Sequence, residues 1–141
     1  MVGLKLLGIN EIQLMNALDT IAKVNARDCF VEDGGVIFLV PENDIRRAIG
    51  KNGETVELLK KRLGRKVELF EYTQKPENFF KKAFYRAEIE KIEVKQLKET
   101  KVAFVHADAT NKKIILQNMR RLRRIKELAK RNYEIDEVRI R

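Results

Sequence analysis

The residues best placed to do chemistry lie in one short stretch, in which two glycines flank a lysine and an asparagine. Gly50, Lys51, Asn52 and Gly53 stand between two segments whose apolar residues recur at helical spacing. Glycines three apart let the chain turn sharply and let another molecule approach the backbone closely, because no Cβ stands in the way. The amide groups that open the second helix lie at the positive end of its dipole. The stretch therefore predicts a phosphate-binding loop, to which Lys51 adds a full positive charge.

Two other interpretations of this junction remain open from the residues alone. The glycines could serve a plain helix–turn–helix corner, or a corner that enters the DNA major groove. A nucleotide-binding P-loop is a poor match, since it needs a glycine five residues before its Gly-Lys pair and a Ser or Thr after that pair. Those two positions hold Ile45 and Asn52.

Composition narrows the class of protein. Of the 141 residues, 44% are hydrophobic, which is enough for packed cores and unlike a disordered tail. No apolar run approaches the roughly 20 residues of a membrane span, and the opening MVGLKLLGIN lacks the cleavage pattern of a secretory signal. The single cysteine, Cys29, excludes an internal disulfide and fits a reducing compartment. We therefore expect a cytoplasmic protein with no membrane partner.

The net charge of +9 is confined to one half of the chain. Residues 1–72 carry 11 basic and 11 acidic side chains, whereas residues 73–141 carry 19 basic and 10 acidic ones. A basic half beside a neutral half indicates a surface that follows a polyanion.

The residue types argue against an enzyme. The chain contains no serine, and its one histidine, His106, is expected to be structural. Cys29 opens an apolar strand and is expected in the core. One cysteine and one histidine are too few for a structural zinc site. We therefore expect no catalytic residue, metal, cofactor or small-molecule substrate.

Hydrophobic periodicity predicts a first module of order α-β-β-α-α-β. Its first helix is expected to be capped by Asn10 or a neighbour, the next helix pair to be capped by Asn43 or Asp44, and the last helix to stop at Gly64. The expected segments are a helix over 11–26, a strand over 29–31, a turn over 33–35, a strand over 36–40, two helices around the glycine loop and a strand over 67–72.

After a boundary at residues 74–76, the same order is predicted again. Phe80 and Phe84 have the spacing of one helix face. Phe79, Phe80 and Phe84 are therefore expected to pack in the core or between domains rather than to stack on bases. The expected segments are a helix over 77–84, strands near 89–97 and over 102–105, helices over 112–116 and 119–132, and a strand over 138–140.

The two halves also match residue by residue without a gap. Sliding Val36 onto Val102, a shift of 66, places the glycine loop on the sequence Leu116-Gln117-Asn118-Met119. The chain is therefore predicted to contain two copies of one module, residues 1–73 and 74–141, of which the second has lost both glycines.

Residues 48–53, with the sequence AIGKNG, resemble the I-G-x-x-G signature of KH domains, which clamp about four nucleotides. The predicted order is similar to the prokaryotic, type II KH fold, and two such modules in tandem resemble the archaeal NusA-like transcription factors. The resemblance implies an α+β fold (an α/β sandwich) made of two tandem type II KH domains. It also implies a non-catalytic factor that binds single-stranded RNA and acts with RNA polymerase in elongation and termination.

Two alternatives to a transcription factor stay open. One is a KH protein of the ribosome or of ribosome assembly, and the other is an adaptor whose basic second module docks on an acidic protein surface such as that of polymerase. A KH loop does not identify the RNA or protein that it meets, so it cannot distinguish either alternative from a transcription factor.

We expect the two modules to contact RNA in different ways. In the first, Gly50 and Gly53 admit the RNA backbone, Lys51 and Asn52 contact phosphates, and Ile49 floors an apolar groove beside Arg46 and Arg47. In the second, side chains replace the glycines, so its contribution is charge, which makes binding salt-dependent. Its expected RNA-binding residues are Lys112, Lys113, Gln117, Asn118, Arg120, Arg121 and Arg124, extended by Arg123, Lys126, Lys130 and Arg131.

Overall fold

The structure, a computed structural model, describes residues 9–141 of the chain. The residues before these, in which we predict no secretory signal, lie outside the described part. Two compact units follow one another in the sequence and divide between Thr73 and Gln74. Across residues 9–141, no helix is both long enough and apolar enough to cross a bilayer.

The first unit contains three helices and one three-stranded sheet. Strand β2 is central; it runs antiparallel to β1 and parallel to β3. In chain order the elements are α1 Ile9–Ala22, β1 Asp28–Glu32, β2 Gly35–Pro41, α2 Ile45–Ile49, α3 Glu54–Leu63 and β3 Val67–Tyr72. The predicted α-β-β-α-α-β order is confirmed.

Local sequence chemistry sets several of these boundaries. Asp33 and Gly34 form a two-residue hairpin turn with φ of 51° and 75°, the left-handed pair that an Asp-Gly turn favours. Gly64 ends α3 in the left-handed conformation, as predicted. Helix α1 ends at Ala22, four residues earlier than predicted, because Lys23 turns left-handed (φ 60°) and its N–H donates to Asp19 O.

One predicted helix cap is wrong, and the other is correct in position but makes no capping hydrogen bond. Helix α1 begins at Ile9, so Asn10 lies inside the helix. Asp44 occupies the N-cap position of α2, but its side chain makes no capping hydrogen bond and instead forms an ion pair with Arg47. Glu42–Asp44 form a short 3-10 turn that leads from β2 into α2.

The core of the first unit lies between the helices and one face of the sheet. The first six of the seven residues of β2 are buried, which agrees with its uninterrupted apolar sequence. Cys29 is fully buried in this core, as expected. The buried cluster contains Leu14, Leu18, Ala22, Val24, Cys29, Val36, Phe38, Val40, Ala48 and Leu59. The two helices that flank the glycine loop are therefore anchored on the sheet through Ala48 and Leu59.

The second unit repeats the element order. Its central strand β5 runs antiparallel to β4 and parallel to β6. The elements are α4 Pro76–Ala83, β4 Lys91–Leu97, β5 Thr100–His106, α5 Ala109–Gln117, α6 Met119–Tyr133 and β6 Glu137–Ile140. Helix α6 has fifteen residues against the ten of α3.

The gapless shift of 66 is one residue out of step with the sheets. Glu32 pairs with Gly35 in the first hairpin, and Leu97 pairs with Thr100 in the second. The turns between them therefore begin at residues 33 and 98, a shift of 65. A slip of one residue moves every strand side chain to the opposite face. The equivalence of Val36 with Val102 is therefore wrong, although the repeated order is present.

The aromatic cluster of the second unit is internal. Phe79 and Phe80 are fully buried and Phe84 nearly so. The Phe79 ring lies 5.3 Å from that of Phe80 and 5.2 Å from that of Tyr133, between ring centroids. The prediction that these three phenylalanines are core residues is confirmed.

His106 has a structural partner. Its Nε2 lies 3.0 Å from Oε1 of Glu93. Glu93 lies on β4 two residues after Lys91, the residue that pairs with His106 in the sheet. Partial burial opposes ionisation of Glu93, but the positive charges of Lys91 and Lys95 and the contact with His106 outweigh it, so the Glu93 pKa is lowered. Glu93 and His106 are half-buried on the sheet, and their contact agrees with a structural role for His106.

Candidate nucleic-acid interface

The glycine loop is a defined turn between α2 and α3. Gly50, Asn52 and Gly53 have φ of 79°, 54° and 76°, so three of its four residues have positive φ. The N–H of Gly50 donates to Arg46 O at 2.8 Å, and the N–H of Gly53 donates to Gly50 O at 3.1 Å. Asparagine tolerates this conformation better than most residues that carry a Cβ. The sequence Gly-Lys-Asn-Gly therefore suits the backbone that it adopts.

The two glycines are required for different reasons. A Cβ on Gly50 would lie 2.2 Å from Thr55 Oγ1 and 2.7 Å from Thr55 N, so the space beside it is filled by the start of α3. A Cβ on Gly53 would meet only Val56 Cγ1, at 3.9 Å. The absence of a side chain at Gly50 thus lets the loop pack against Thr55 of α3, whereas the space beside Gly53 is open.

The tip of the loop combines donors with positive charge. Lys51 and Asn52 are exposed, and Gly53, at the N-cap position of α3, has no side chain to accept from the amides of the first turn. Those amides lie at the positive end of the helix dipole, where an anion is favoured. The carboxylate of exposed Glu54 lies on the same first turn and reduces this positive potential.

The remaining predicted residues of the first unit lie on α2. Arg46 and Arg47 are exposed, and Arg47 forms the ion pair with Asp44. Ile49 precedes the loop and keeps 40% of its surface exposed. The structure thus places all seven predicted residues of this unit on one continuous segment, residues 46–53.

The corresponding junction of the second unit has a different geometry. Asn118 alone separates α5 from α6, with φ of −110°, and its Oδ1 accepts from the N–H of Arg121 at 3.1 Å. No residue of 109–133 has a positive φ. Leu116 and Met119 flank the junction with 48% and 56% of their surface exposed. In this turn Asn118 caps α6, and Leu116 and Met119 carry side chains where the first unit has glycines.

The basic residues of α6 divide into two groups. One face of the helix is buried through Leu122, Ile125, Leu128 and Ala129. On the opposite face, the exposed cations, which we call the α6 basic face, are Arg120, Arg123, Lys126 and Lys130. At the flanks, Arg121, Arg124 and Arg131 are half-buried.

Arg121 is committed to contacts within the protein. Its Nε donates to Ala83 O at 3.0 Å, and its guanidinium carbon lies 4.8 Å from the ring centre of Tyr85. The sequence predicted a phosphate contact at Arg121, and its structural contacts compete with that role. The sequence patterns gave no role to Tyr85, which directly follows Phe84.

Helix α5 carries the other predicted cations. Lys113 is exposed and Lys112 is half-exposed, while Gln117 is exposed at the last position of the helix. Asp108 caps the helix, since its Oδ1 accepts from the backbone N–H of Asn111 at 2.8 Å and from the Asn111 side chain at 3.0 Å. These hydrogen bonds, the backbone one first, lower the pKa of Asp108.

Comparison with known proteins agrees with this geometry. The family model described as KH domain matches residues 13–74. A protein named "Probable transcription termination protein NusA" from Methanocaldococcus jannaschii is 28% identical over 131 residues, which cover 92% of this chain and 72% of that protein. A protein of the same name from Halobacterium salinarum is 29% identical over 129 residues, which cover 91% and 92%.

A solved structure has the same fold. The crystal structure of APE1850 matches with a TM-score of 0.86 and 27% sequence identity. The match covers 96% of this chain and all of that one. Both the KH-type fold and the resemblance inferred from residues 48–53 are therefore confirmed.

Proposed function

We propose that this chain, a KH-domain protein that resembles the archaeal NusA-like transcription factors, holds nascent single-stranded RNA near RNA polymerase during elongation and termination. One observation carries the RNA-binding part: the left-handed loop of residues 50–53 leaves open space beside Gly53 at the uncapped start of α3. The KH match over this segment favours RNA over a DNA-reading helix–turn–helix corner.

In this proposal a phosphate of the RNA lies beside Gly53. The amides of the first turn of α3 donate to it, and Lys51 supplies the opposite charge. Asn52 is exposed next to both and can donate through its side-chain amide. Ile49, 40% exposed before the loop, offers apolar surface to a neighbouring base.

The second unit contributes charge in this proposal. The α6 basic face and Lys113 are exposed, and no acidic residue occupies the first turn of α6. Such a surface attracts phosphates of any sequence, and it releases counterions when it binds them. Docking of this face on an acidic protein surface, such as that of polymerase, is the competing assignment.

The loop is tested by reversing its charge. We expect Lys51→Asp/Asn52→Asp to weaken binding of a single-stranded RNA of about ten nucleotides at least about tenfold, or roughly 1.4 kcal/mol. Two carboxylates at this position repel the phosphate, while both side chains are exposed and their loss leaves the core intact. Fluorescence anisotropy of a labelled RNA measures the affinity, and circular dichroism checks the fold.

A matched control lies at the other end of the same helix. Arg65→Asp/Lys66→Ala makes the same change in net charge at exposed positions about 15 Å along α3 from the loop. We expect it to weaken binding less than threefold, roughly 0.6 kcal/mol. An equal loss for both double variants would show a diffuse charge effect and refute the loop as the binding site.

The α6 basic face and the neighbouring Lys113 of α5 are tested through the salt dependence of binding. We expect Lys113→Gln/Arg120→Gln to make the slope of log K against log salt shallower by roughly 1.4, since each phosphate contact on a single strand contributes about 0.7. Lys98→Gln, in the β4–β5 turn, serves as the control and should leave the slope unchanged. An unchanged slope in the double variant would assign these cations to a protein surface instead.

The transcriptional part needs a cellular measurement. Affinity purification of the tagged chain from its own cells should recover RNA polymerase subunits, and nuclease treatment should not abolish this. Recovery of ribosomal particles in place of polymerase would favour the ribosomal alternative and overturn the transcriptional one.

A further inference from the structure

We propose that Tyr85 is a base-stacking platform for single-stranded RNA in the second unit. The inference rests on the proposed function, since it takes RNA as the ligand, and it adds a contact outside the glycine loop. Tyr85 lies two residues after Ala83, the last residue of α4, and keeps 62% of its surface exposed. The aromatic residues that precede it in the sequence, Phe79, Phe80 and Phe84, are all buried.

Two arginines hold the ring in place. The Nε of Arg86 donates to the Tyr85 hydroxyl at 3.0 Å, and its guanidinium carbon lies 5.4 Å from the ring centre. The guanidinium carbon of Arg121 lies 4.8 Å from the same centre. Arg121 is in turn tied to the end of α4 by its hydrogen bond to Ala83 O. The ring is thus oriented before any ligand arrives, which lowers the ordering cost of stacking on it.

The ring lies next to the junction that occupies the place of the glycine loop. Arg121, which contacts the ring, is on the first turn of α6, and its N–H is the one capped by Asn118. Exposed Arg120 precedes it, and the last turn of α4 carries Lys81 and Lys82. Phosphates on either side of a stacked base would therefore meet positive charge.

A single exposed aromatic side chain needs no special explanation by itself, since apolar atoms are common on protein surfaces. The combination here is more specific. Unstacked RNA bases are held by aromatic rings and by guanidinium planes, and Tyr85 presents one ring with two guanidiniums in contact. An apolar protein partner would not need the two charges. The second unit then replaces the backbone clamp of the first with a stacking contact.

The test compares three variants of the full chain in binding to a single-stranded RNA of about ten nucleotides. We expect Tyr85→Ala to weaken binding about tenfold, within the range for loss of one stacked base. Tyr85→Phe keeps the ring and should stay within about twofold of the wild type. The control is Leu97→Ala, which removes another exposed apolar side chain (42% exposed) at the β4–β5 hairpin and should have no effect.

A second readout separates stacking from a general effect on the surface. Single abasic substitutions are introduced one at a time along the RNA, which removes a base and keeps the backbone charge. At one position, the abasic RNA should bind the wild type about as weakly as the intact RNA binds Tyr85→Ala. The Tyr85→Ala variant should bind that abasic RNA and the intact RNA equally well.

The outcomes distinguish this inference from the proposed function. If Tyr85→Ala binds like the wild type while Lys51→Asp/Asn52→Asp binds weakly, the stacking inference is refuted and the loop stands. If Tyr85→Phe is as weak as Tyr85→Ala, the ring is not the binding element and the inference is refuted. If the wild type binds no RNA, both the inference and the proposed function fall together.

Discussion

Replacing Gly50 by alanine is expected to destabilise the first unit by roughly 3 kcal/mol or more, the largest effect of any loop substitution. A side chain at φ 79°, ψ 169° is strained, which costs about 1–3 kcal/mol. The new Cβ would also lie 2.2 Å from Thr55 Oγ1, so either the loop or the start of α3 must move. Overpacking of this kind adds roughly 1–3 kcal/mol.

Gly53→Ala is the matched control for this prediction. Its φ of 76° also lies in the left-handed region, where alanine costs about 1 kcal/mol relative to glycine, but its Cβ meets nothing closer than 3.9 Å. Hydrogen exchange of the β2 amides, which belong to the first unit alone, measures the stability of that unit. Equal losses for the two variants would show that Thr55 does not fill the space beside Gly50.

The second large effect is expected at Leu59, the residue that fixes α3 to the core. Leu59→Ala should lower the free energy of unfolding of the first unit by about 3 kcal/mol, since truncating a buried leucine costs about 2–5 kcal/mol. Leu59 is completely buried and packs in the cluster that contains Leu14, Leu18 and Ala48. Because α3 begins at the loop, its anchorage also determines how firmly the loop is held.

Leu58→Ala provides the comparison one residue away on the same helix. Leu58 keeps 50% of its surface exposed, so its truncation removes far fewer packing contacts and should cost less than about 1 kcal/mol. Hydrogen exchange of β2 again gives the stability. Saturating RNA should restore part of the stability of Leu59→Ala, since a ligand that binds only the folded state stabilises it. A loss for Leu58→Ala as large as that for Leu59→Ala would contradict the assignment of the core face.

Much of the architecture was predictable because its determinants are local. The Asp33-Gly34 turn, the buried strand after it and the helix stop at Gly64 each depend on the dihedral preferences or polarity of a few adjacent residues. The end of α1 was predicted four residues late, because nothing in the type of Lys23 announces a left-handed residue. The shift of 66 failed by one residue, since apolar runs match in either strand register and only the hairpin pairing decides between them.

The site shows the same division. The position of the loop follows from two glycines and a lysine. The structure leaves five residues around it exposed: Arg46, Arg47, Ile49, Lys51 and Asn52. That Thr55 fills the space beside Gly50, and that Arg121 reaches back to Ala83 and Tyr85, could not be predicted from spacing. Counting charges in the sequence assigns every arginine of α6 the same role. In the folded protein Arg120 and Arg123 are exposed, whereas Arg121 contacts Ala83 and Tyr85.

Local patterns along the chain were enough to predict the order of the elements, the KH resemblance and the place of the glycine loop, because backbone preferences and hydrophobic period act within a few residues. Tertiary packing sets the strand register, the different needs of Gly50 and Gly53, and the exposure of Tyr85 beside Arg121. These depend on which atoms meet when segments distant in sequence pack together. Arg121 and Ala83 are 38 residues apart, and no local pattern connects them.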